Sequence, residues 1–281
     1  MDLTTDVIQS MEVHWLQALA IAASVGLFAY RLRLLTISGM VAATAVGGSV
    51  LVAAGWWIGV ALVTFFVSSS ALSLLFTHAG GVVRQARGKR RDAVQVAANG
   101  GIPAAMAVVS AVVDQPGPWL VGSLAAIAGA TSDTWGTEIG RFSKSRPRLV
   151  TTWKPATRGA SGAISTLGTA GSLTGAVVIG LVAAAGYAFG WAAPGITAGA
   201  LLAIVTSAGF CGSLIDSLLG ATAQVGYRCP PCGTTTEAVI HTCGAHTIRV
   251  KGAAWLNNDM VNLLAIAGSA AIGFGAGWIG M

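Results

Sequence analysis

Residues 119–140 read WLVGSLAAIAGATSDTWGTEIG. The run from Trp119 to Ala130 carries no charge, and Asp133 and Glu138 follow it. A second apolar run, from Gly195 to Gly220, holds one acid, Asp216, inside Gly212-Ser213-Leu214-Ile215-Asp216-Ser217-Leu218-Leu219-Gly220. A carboxylate in or at the edge of a membrane span is costly, so it faces a protein interior and marks a site. These two acids point to a membrane enzyme or transporter rather than an inert bundle.

The rest of the chain has the same character. Of 281 residues, 54% are hydrophobic and 9% charged, and mean hydropathy is +0.73. A soluble domain carries roughly 25% charged residues, so this chain cannot coat a water-facing surface. Its apolar stretches approach the roughly 20 residues that cross a bilayer as helix. The pattern predicts an all-α polytopic membrane bundle of about eight transmembrane helices, near 14–30, 34–54, 57–76, 94–113, 119–137, 163–186, 196–220 and 259–279. Only the Gly55-Trp56-Trp57 region divides the second from the third, so seven is the count if those two merge or one does not cross. Turns are expected at Asp114–Pro118 and Ala192–Gly195. The 38 glycines suit close helix packing. Residues 1–13 hold Asp2, Asp6 and Glu12 and no Lys or Arg, unlike the basic start of a signal peptide. The chain reads as one transmembrane domain, 1–281, with a small Cys/His loop at about 225–250.

Charge orders these spans. Arg31 and Arg33 follow the first, and Arg84, Arg87, Lys89, Arg90 and Arg91 the third. Arg141, Lys144, Arg146, Arg148, Lys154 and Arg158 follow the fifth, and Arg228, Arg249 and Lys251 the seventh. That is every Lys and Arg in the chain. With eight spans all four loops share one side, cytoplasmic by the positive-inside rule, with both termini outside. The expected location is a prokaryotic plasma membrane. The net charge of +6 then belongs to membrane loops and not to a nucleic-acid surface. Asp133, Glu138, Asp216, Asp259 and Asn99 all fall near the basic side.

Several constellations gather there. Gly212, Asp216, Gly220 and Gln224 recur every four residues along one helix face, which serves either small-residue packing or approach of a ligand. Asp133 and Thr137 are one turn apart, but Glu138 points elsewhere on a regular helix. A metal shared by both acids needs a break near Gly136 or Gly140; otherwise Glu138 pairs with a basic loop residue. Oxygen ligands of this kind suit Mg²⁺. Lys89, Arg90 and Arg91, before Asn99, either anchor topology or neutralise phosphate. Lys144, Arg146, Arg148, Thr151, Thr152, Lys154 and Arg158 supply phosphate-type donors. The Gly/Ser segment 159–165 offers a helix N-terminus to an anion. Asn258 and Asn262 flank Asp259 at the start of the last span, as caps or as ligands. Cys229, Cys232, His241 and Cys243 have the donors of a small tetrahedral Zn²⁺ site; a redox pair or free thiols are the alternatives. No Walker or dinucleotide fingerprint is present.

Together these residues resemble a known family. Asp133-Thr134-Trp135 with Glu138 and Gly140, Arg146-Pro147-Arg148, Gly159 to Gly168, Gly212-Ser213 with Asp216-Ser217 and Gly220-Ala221, the Cys229–Cys243 loop, and Asn258-Asp259 with Val261-Asn262 carry the likeness. It spans roughly residues 30–280. The family is the integral-membrane one that includes plant phytyl-phosphate kinase and its animal and prokaryotic relatives. The resemblance implies CTP-dependent phosphorylation of an isoprenyl monophosphate to the diphosphate, with CTP or another NTP and the lipid as partners. The expected roles follow. Asp133, Glu138 and Asp216 are catalytic, and Asp133, Asp216 and Asp259 hold Mg²⁺. Lys89, Arg91, Asn99, Lys144, Arg146, Arg148, Lys154, Arg158, Ser213, Ser217, Gln224, Asn258 and Asn262 face nucleotide or phosphate. A lipid nucleotidyltransferase, a phosphatase and an ion-coupled transporter are the rival readings. The clustering of acids at one membrane face, not the midplane, weighs against transport.

Overall fold

The computed structural model describes the backbone of residues 3–78, 90–190 and 196–280, and the side chains of 15–75, 90–190 and 196–280. It is an all-α polytopic membrane bundle. The helices are α1 (Leu3–Arg31), α2 (Ile37–His78), α3 (Ala93–Ser110), α4 (Pro116–Gly140), α5 (Thr166–Ala188), α6 (Ala198–Thr222) and α7 (Asn258–Gly280). Small strands lie in two loops: β1 (Arg148–Leu149) with β2 (Ala163–Ile164), and β4 (Thr235–Thr236), β3 (Gly226–Arg228) and β5 (Ile248–Lys251) as an antiparallel sheet. Lys89, Arg84, Arg87 and the expected turn at 192–195 lie outside the described residues.

The 42 residues of α2 cover the expected second and third spans. Straight, they would run roughly 63 Å, twice the roughly 30 Å hydrocarbon core. Gly55 interrupts them with φ 75° and ψ −167°, a conformation that needs a residue without Cβ. Beyond it the helix turns back. Leu51 Cδ2 lies 2.6 Å from where a Cβ on Gly59 would sit. Arg91 touches Gly39 through its carbonyl and Phe65 and Phe66 through its guanidinium, at 5.6 and 5.7 Å from the ring centres. Residues 37–54 and 56–78 are therefore two antiparallel arms, so the described residues hold eight helical segments. Proline opens α4 at Pro116, where a missing N–H costs nothing.

The ends followed by basic residues all meet at one face. The α1–α2 and α2–α3 connections pair there through Thr36 N to Arg91 O (3.0 Å) and Arg91 N to Leu34 O (2.9 Å). Lys251 Nζ donates to the Gly220 carbonyl at 2.7 Å, placing a cation on the negative end of α6. At the opposite face Trp57, beside the α2 reversal, stacks on Phe189 at 5.7 Å. Gly277, near the end of α7, meets Pro118 at the start of α4.

The middle of the bundle is α4, packed against α2, α3, α5, α6 and α7. Every residue from Val121 to Ser132 is buried. A helix can be enclosed so fully only if its surface is nearly smooth, and this stretch is mostly Ala, Gly and Ser. A Cβ on Gly136 would overlap Ser172 Oγ of α5, and one on Gly209 of α6 would lie 2.5 Å from Ala128 Cβ. Close backbone approach is what brings the C-terminal thirds of α4 and α6 together.

Candidate functional site

Asp133 on α4 and Asp216 on α6 are near enough to act on each other electrostatically. The neighbouring α7 completes the arrangement. With the Asn262 amide oriented to satisfy its surroundings, its nitrogen donates to Asp216 Oδ2 at 3.0 Å and to the Asn258 carbonyl at 3.1 Å. The second charge acting on Asp216 is Glu237, which sequence reasoning missed. Glu237 Oε1 accepts from Gln224 Nε2 at 2.9 Å and from Ser161 Oγ at 2.8 Å. It thereby ties the Cys/His loop to the end of α6 and to the loop before α5. Burial pulls the Lys251 ammonium down, and the Glu237 carboxylate opposes that shift. The available signal was simple: Glu237 is the one acid between Asp216 and Asp259.

Glu138 does not join this group. Helix α4 continues unbroken through Gly136 to Gly140, so five residues turn Glu138 by roughly 140° from Asp133. Its carboxylate, 8% exposed, accepts from Ser73 Oγ of α2 at 2.9 Å and pairs with Arg141 at 2.7 Å. Of the two arrangements open to the sequence, the structure takes the pairing with a basic loop residue.

Other expected residues divide in the same way. Ser213 points into the bundle and donates to Ser172 Oγ at 3.0 Å, while Ser132 donates to the Ser172 carbonyl at 2.9 Å. Ser213 is thus a packing contact between α5 and α6 rather than a group open to a phosphate from the basic face. Ser217, one turn nearer the basic face, is half-buried. The cap of α7 is Asn257, whose Oδ1 accepts from the backbone N–H of Asp259 (3.0 Å) and Met260 (3.1 Å). That relieves Asn258 and Asp259 of capping, and Asp259 is buried in the first turn. Gln224, buried at the end of α6, serves Glu237.

The basic residues are not equivalent. Arg158 donates to the backbone carbonyls of Ser143, Arg141 and Lys144, so it holds the loop after α4 in shape. Arg148 Nη1 donates to the Trp153 carbonyl at 2.9 Å. Lys144, Arg146 and Lys154 are exposed. At the start of α5, Ser165 already caps Gly168 N at 3.1 Å, which removes one N–H from any anion. Arg91 and Asn99 stand apart, in a cleft between α1, α2 and α3.

The Cys/His set closes as its spacing implies. Ligand atoms of Cys229, Cys232, His241 and Cys243 all lie within 4.8 Å of one another. Cys229 Sγ is 3.6 Å from Cys243 Sγ, and His241 Nδ1 is 3.1 Å from Cys243 Sγ. Hydrogen bonding to Cys243 raises the Cys232 thiol to about 11, and His241 draws Cys243 down to about 6. Three sulfurs so close cannot all ionise without a cation between them. Three sulfurs with one imidazole fit a tetrahedral Zn²⁺. Thr234 Oγ1, 3.2 Å from His241 Nε2, fixes the ring from its other side.

Residues 20–270 match the integral membrane protein family DUF92. The chain belongs to that family. It is similar to Protein PGR of Arabidopsis thaliana, 29% identical over 272 residues, covering 89% of this chain and 91% of the plant protein. It is also similar to the "Uncharacterized membrane protein MJ0933" of Methanocaldococcus jannaschii, 32% identical over 195 residues, 67% of this chain and 74% of that one. No solved structure matches it. A DUF92 member with plant and archaeal relatives is the integral-membrane kinship expected from the residues around Asp133, Asp216 and Cys229.

Proposed function

We propose that this DUF92 protein is a prenyl-phosphate kinase, transferring the γ-phosphoryl group of CTP or another NTP to an isoprenyl monophosphate. The supporting observation is that Asp133 and Asp216 lie within electrostatic reach of each other near the basic face of a bundle whose walls are apolar. Carboxylates within electrostatic reach of one another favour a hard cation, and Mg²⁺ is the usual partner of one or two carboxylates plus phosphates. Asp133 and Asp216 would hold it, with Glu237 adding negative charge nearby. Once bound, Mg²⁺ neutralises charge on the phosphoryl oxygens.

The chain's own residues have distinct tasks in this scheme. An oxygen of the acceptor phosphate attacks the γ-phosphorus, and the bond between that phosphorus and the bridging oxygen of the nucleoside diphosphate breaks. No general base is required, because a phosphate monoester is already ionised at neutral pH. Asn262 orients Asp216, and Gln224 with Ser161 orients Glu237. Exposed Lys144, Arg146 and Lys154 attract the nucleotide's phosphates. Cys229, Cys232, His241 and Cys243 would hold a structural Zn²⁺ that fixes the loop bearing Glu237. The basic face is cytoplasmic on this reading; cysteine labelling should reach residues 141–158 and 228–251 from one side and Gln115 from the other.

Purified protein given radiolabelled geranylgeranyl monophosphate and each NTP tests the proposal. A diphosphate product supports the kinase. A nucleotide-bearing lipid identifies a nucleotidyltransferase, and free isoprenol a phosphatase; either would replace the proposal.

A further inference from the structure

On the opposite side of α4 from Asp133 lies a cleft of about 270 Å³, between α1, both arms of α2 and the start of α3. Its walls are almost wholly apolar, and Val25, Val60 and Val63 are each 40–44% exposed at its open side. Being on the outer surface of the bundle, that side faces acyl chains. One end differs. Arg91, Gln95 and Asn99 follow each other at four-residue intervals, so all three line the cleft. Gln95 Oε1 and Asn99 Nδ2 are engaged locally, with Asp92 N (3.2 Å) and the Gln95 carbonyl (2.8 Å). Arg91 is held differently. Its backbone is pinned on both sides by Leu34 and Thr36, and its guanidinium lies against Phe65 and Phe66. Among the described residues that guanidinium makes no hydrogen bond and no ion pair. Glu138 acts on it only at longer range, being engaged with Arg141 and Ser73.

A guanidinium is a five-donor fork suited to phosphate. Held at the end of a lipid-facing apolar cleft with its donors open, it calls for an anionic head on an apolar tail. Ligand pockets run from roughly 300 to 1,000 Å³, so this volume suits one slender chain and not the paired chains of a phospholipid. We infer that the α1–α2–α3 cleft binds a single-chain lipid phosphate, its tail between the two arms of α2 and its phosphate on Arg91. Resting on the kinase reading, this lipid is the acceptor. It enters from the membrane on the α2 side of α4, whereas the metal and nucleotide are held on the α6 side.

Binding can be measured apart from turnover. Full-length protein in phosphatidylcholine nanodiscs is equilibrated with geranylgeranyl monophosphate bearing a tail diazirine, irradiated and mapped. Adducts should fall on α1, α2 and α3. Arg91→Ala should weaken binding about 10- to 100-fold, the range of a hydrogen-bonded charge, with partial recovery in Arg91→Lys. Val63→Phe, at an exposed wall position where folding is not at risk, should obstruct the tail and weaken binding with Arg91 intact. Each CH₂ lost from a buried tail should cost about fourfold. Geranylgeraniol and dioleoyl phosphatidic acid should compete poorly. Adducts elsewhere, wild-type binding by Val63→Phe, or equal competition by phosphatidic acid would overturn the assignment. Binding in the cleft with no diphosphate formed would refute the kinase alone; diphosphate formed with adducts elsewhere would refute the cleft alone.

Discussion

Asp216→Asn separates a metal-binding carboxylate from one retained for packing. The substitution preserves shape and leaves an oxygen to accept from the Asn262 amide, now 3.0 Å from Oδ2, while removing one charge beside Asp133 and Glu237. Without divalent metal, loss of like-charge repulsion should leave the variant at least as stable as the wild type. With Mg²⁺ the order should reverse. A ligand at 100 times its Kd stabilises the folded state by about 2.7 kcal/mol, or about 5–10 °C in Tm at roughly 2–4 °C per kcal/mol. Unit charges 4 Å apart interact by about 4 kcal/mol at an effective dielectric of 20. Removing one carboxylate ligand should therefore raise the Mg²⁺ Kd by roughly 1,000-fold and abolish the shift at the same concentration. Thermal unfolding followed by tryptophan fluorescence, with MgCl₂ against KCl of equal ionic strength, reads this without any substrate. Equal Mg²⁺ shifts in wild type and Asp216→Asn would refute the metal assignment, whatever happened to turnover.

Three further outcomes follow from the same contacts. Glu237→Gln keeps an oxygen for Gln224 and Ser161 and should fold like the wild type while needing more Mg²⁺ for turnover; Glu237→Ala leaves the buried Gln224 amide unpaired and should lose about 1–3 kcal/mol in denaturant titration. Gly136→Ala drives a methyl group into Ser172 Oγ and should cost about 1–3 kcal/mol, partly recovered in the double variant with Ser172→Ala; an unchanged Tm in the single variant would contradict the packing. Cys232→Ser should release zinc, measured by elemental analysis, and lower the loop's resistance to proteolysis; no zinc in freshly purified wild-type protein would remove that site.

The helical bundle and the gathering of its basic ends were legible because they depend on quantities additive along the chain: apolar length and loop charge. The reversal at Gly55 was half legible. A glycine followed by two tryptophans marks a boundary, but only the positive φ makes it a hairpin. Asp133 and Asp216 could be singled out because an acid in an apolar helix is conspicuous in one dimension. Glu138 looked equally conspicuous, and its true role turned on whether α4 breaks at Gly136, which depends on Arg141 and Ser73 waiting on the other side. Ser213 is one turn deeper than Ser217, and that rise alone moves it from the face to the α5 interface. Glu237 is delivered by strand pairing between β3 and β4 and by the closing of the Cys/His set, contacts that no local pattern encodes.

Helix α4 gives the arrangement its logic. Its inner half is smooth and buried from Val121 to Ser132, so five helices can pack on it and its position is fixed. Its C-terminal end carries both of its charges, Asp133 and Glu138, and helical geometry distributes them by direction. Asp133 faces α6, where Asp216, Asn262 and Glu237 assemble. Trp135 Nε1 donates to Ser68 Oγ of α2 at 3.2 Å, and Glu138 meets Ser73 of the same arm. Glu138 is therefore placed to balance Arg91 and Arg141 at the cleft side. On the proposed reading, one helix end serves as the partition between two substrates that differ in kind. The lipid phosphate comes laterally through the α2 arms, and the nucleotide comes from water through the basic loops. Their phosphates then have to meet across the C-terminal edge of α4, where Gly136 and Gly140 keep the wall thin against α5.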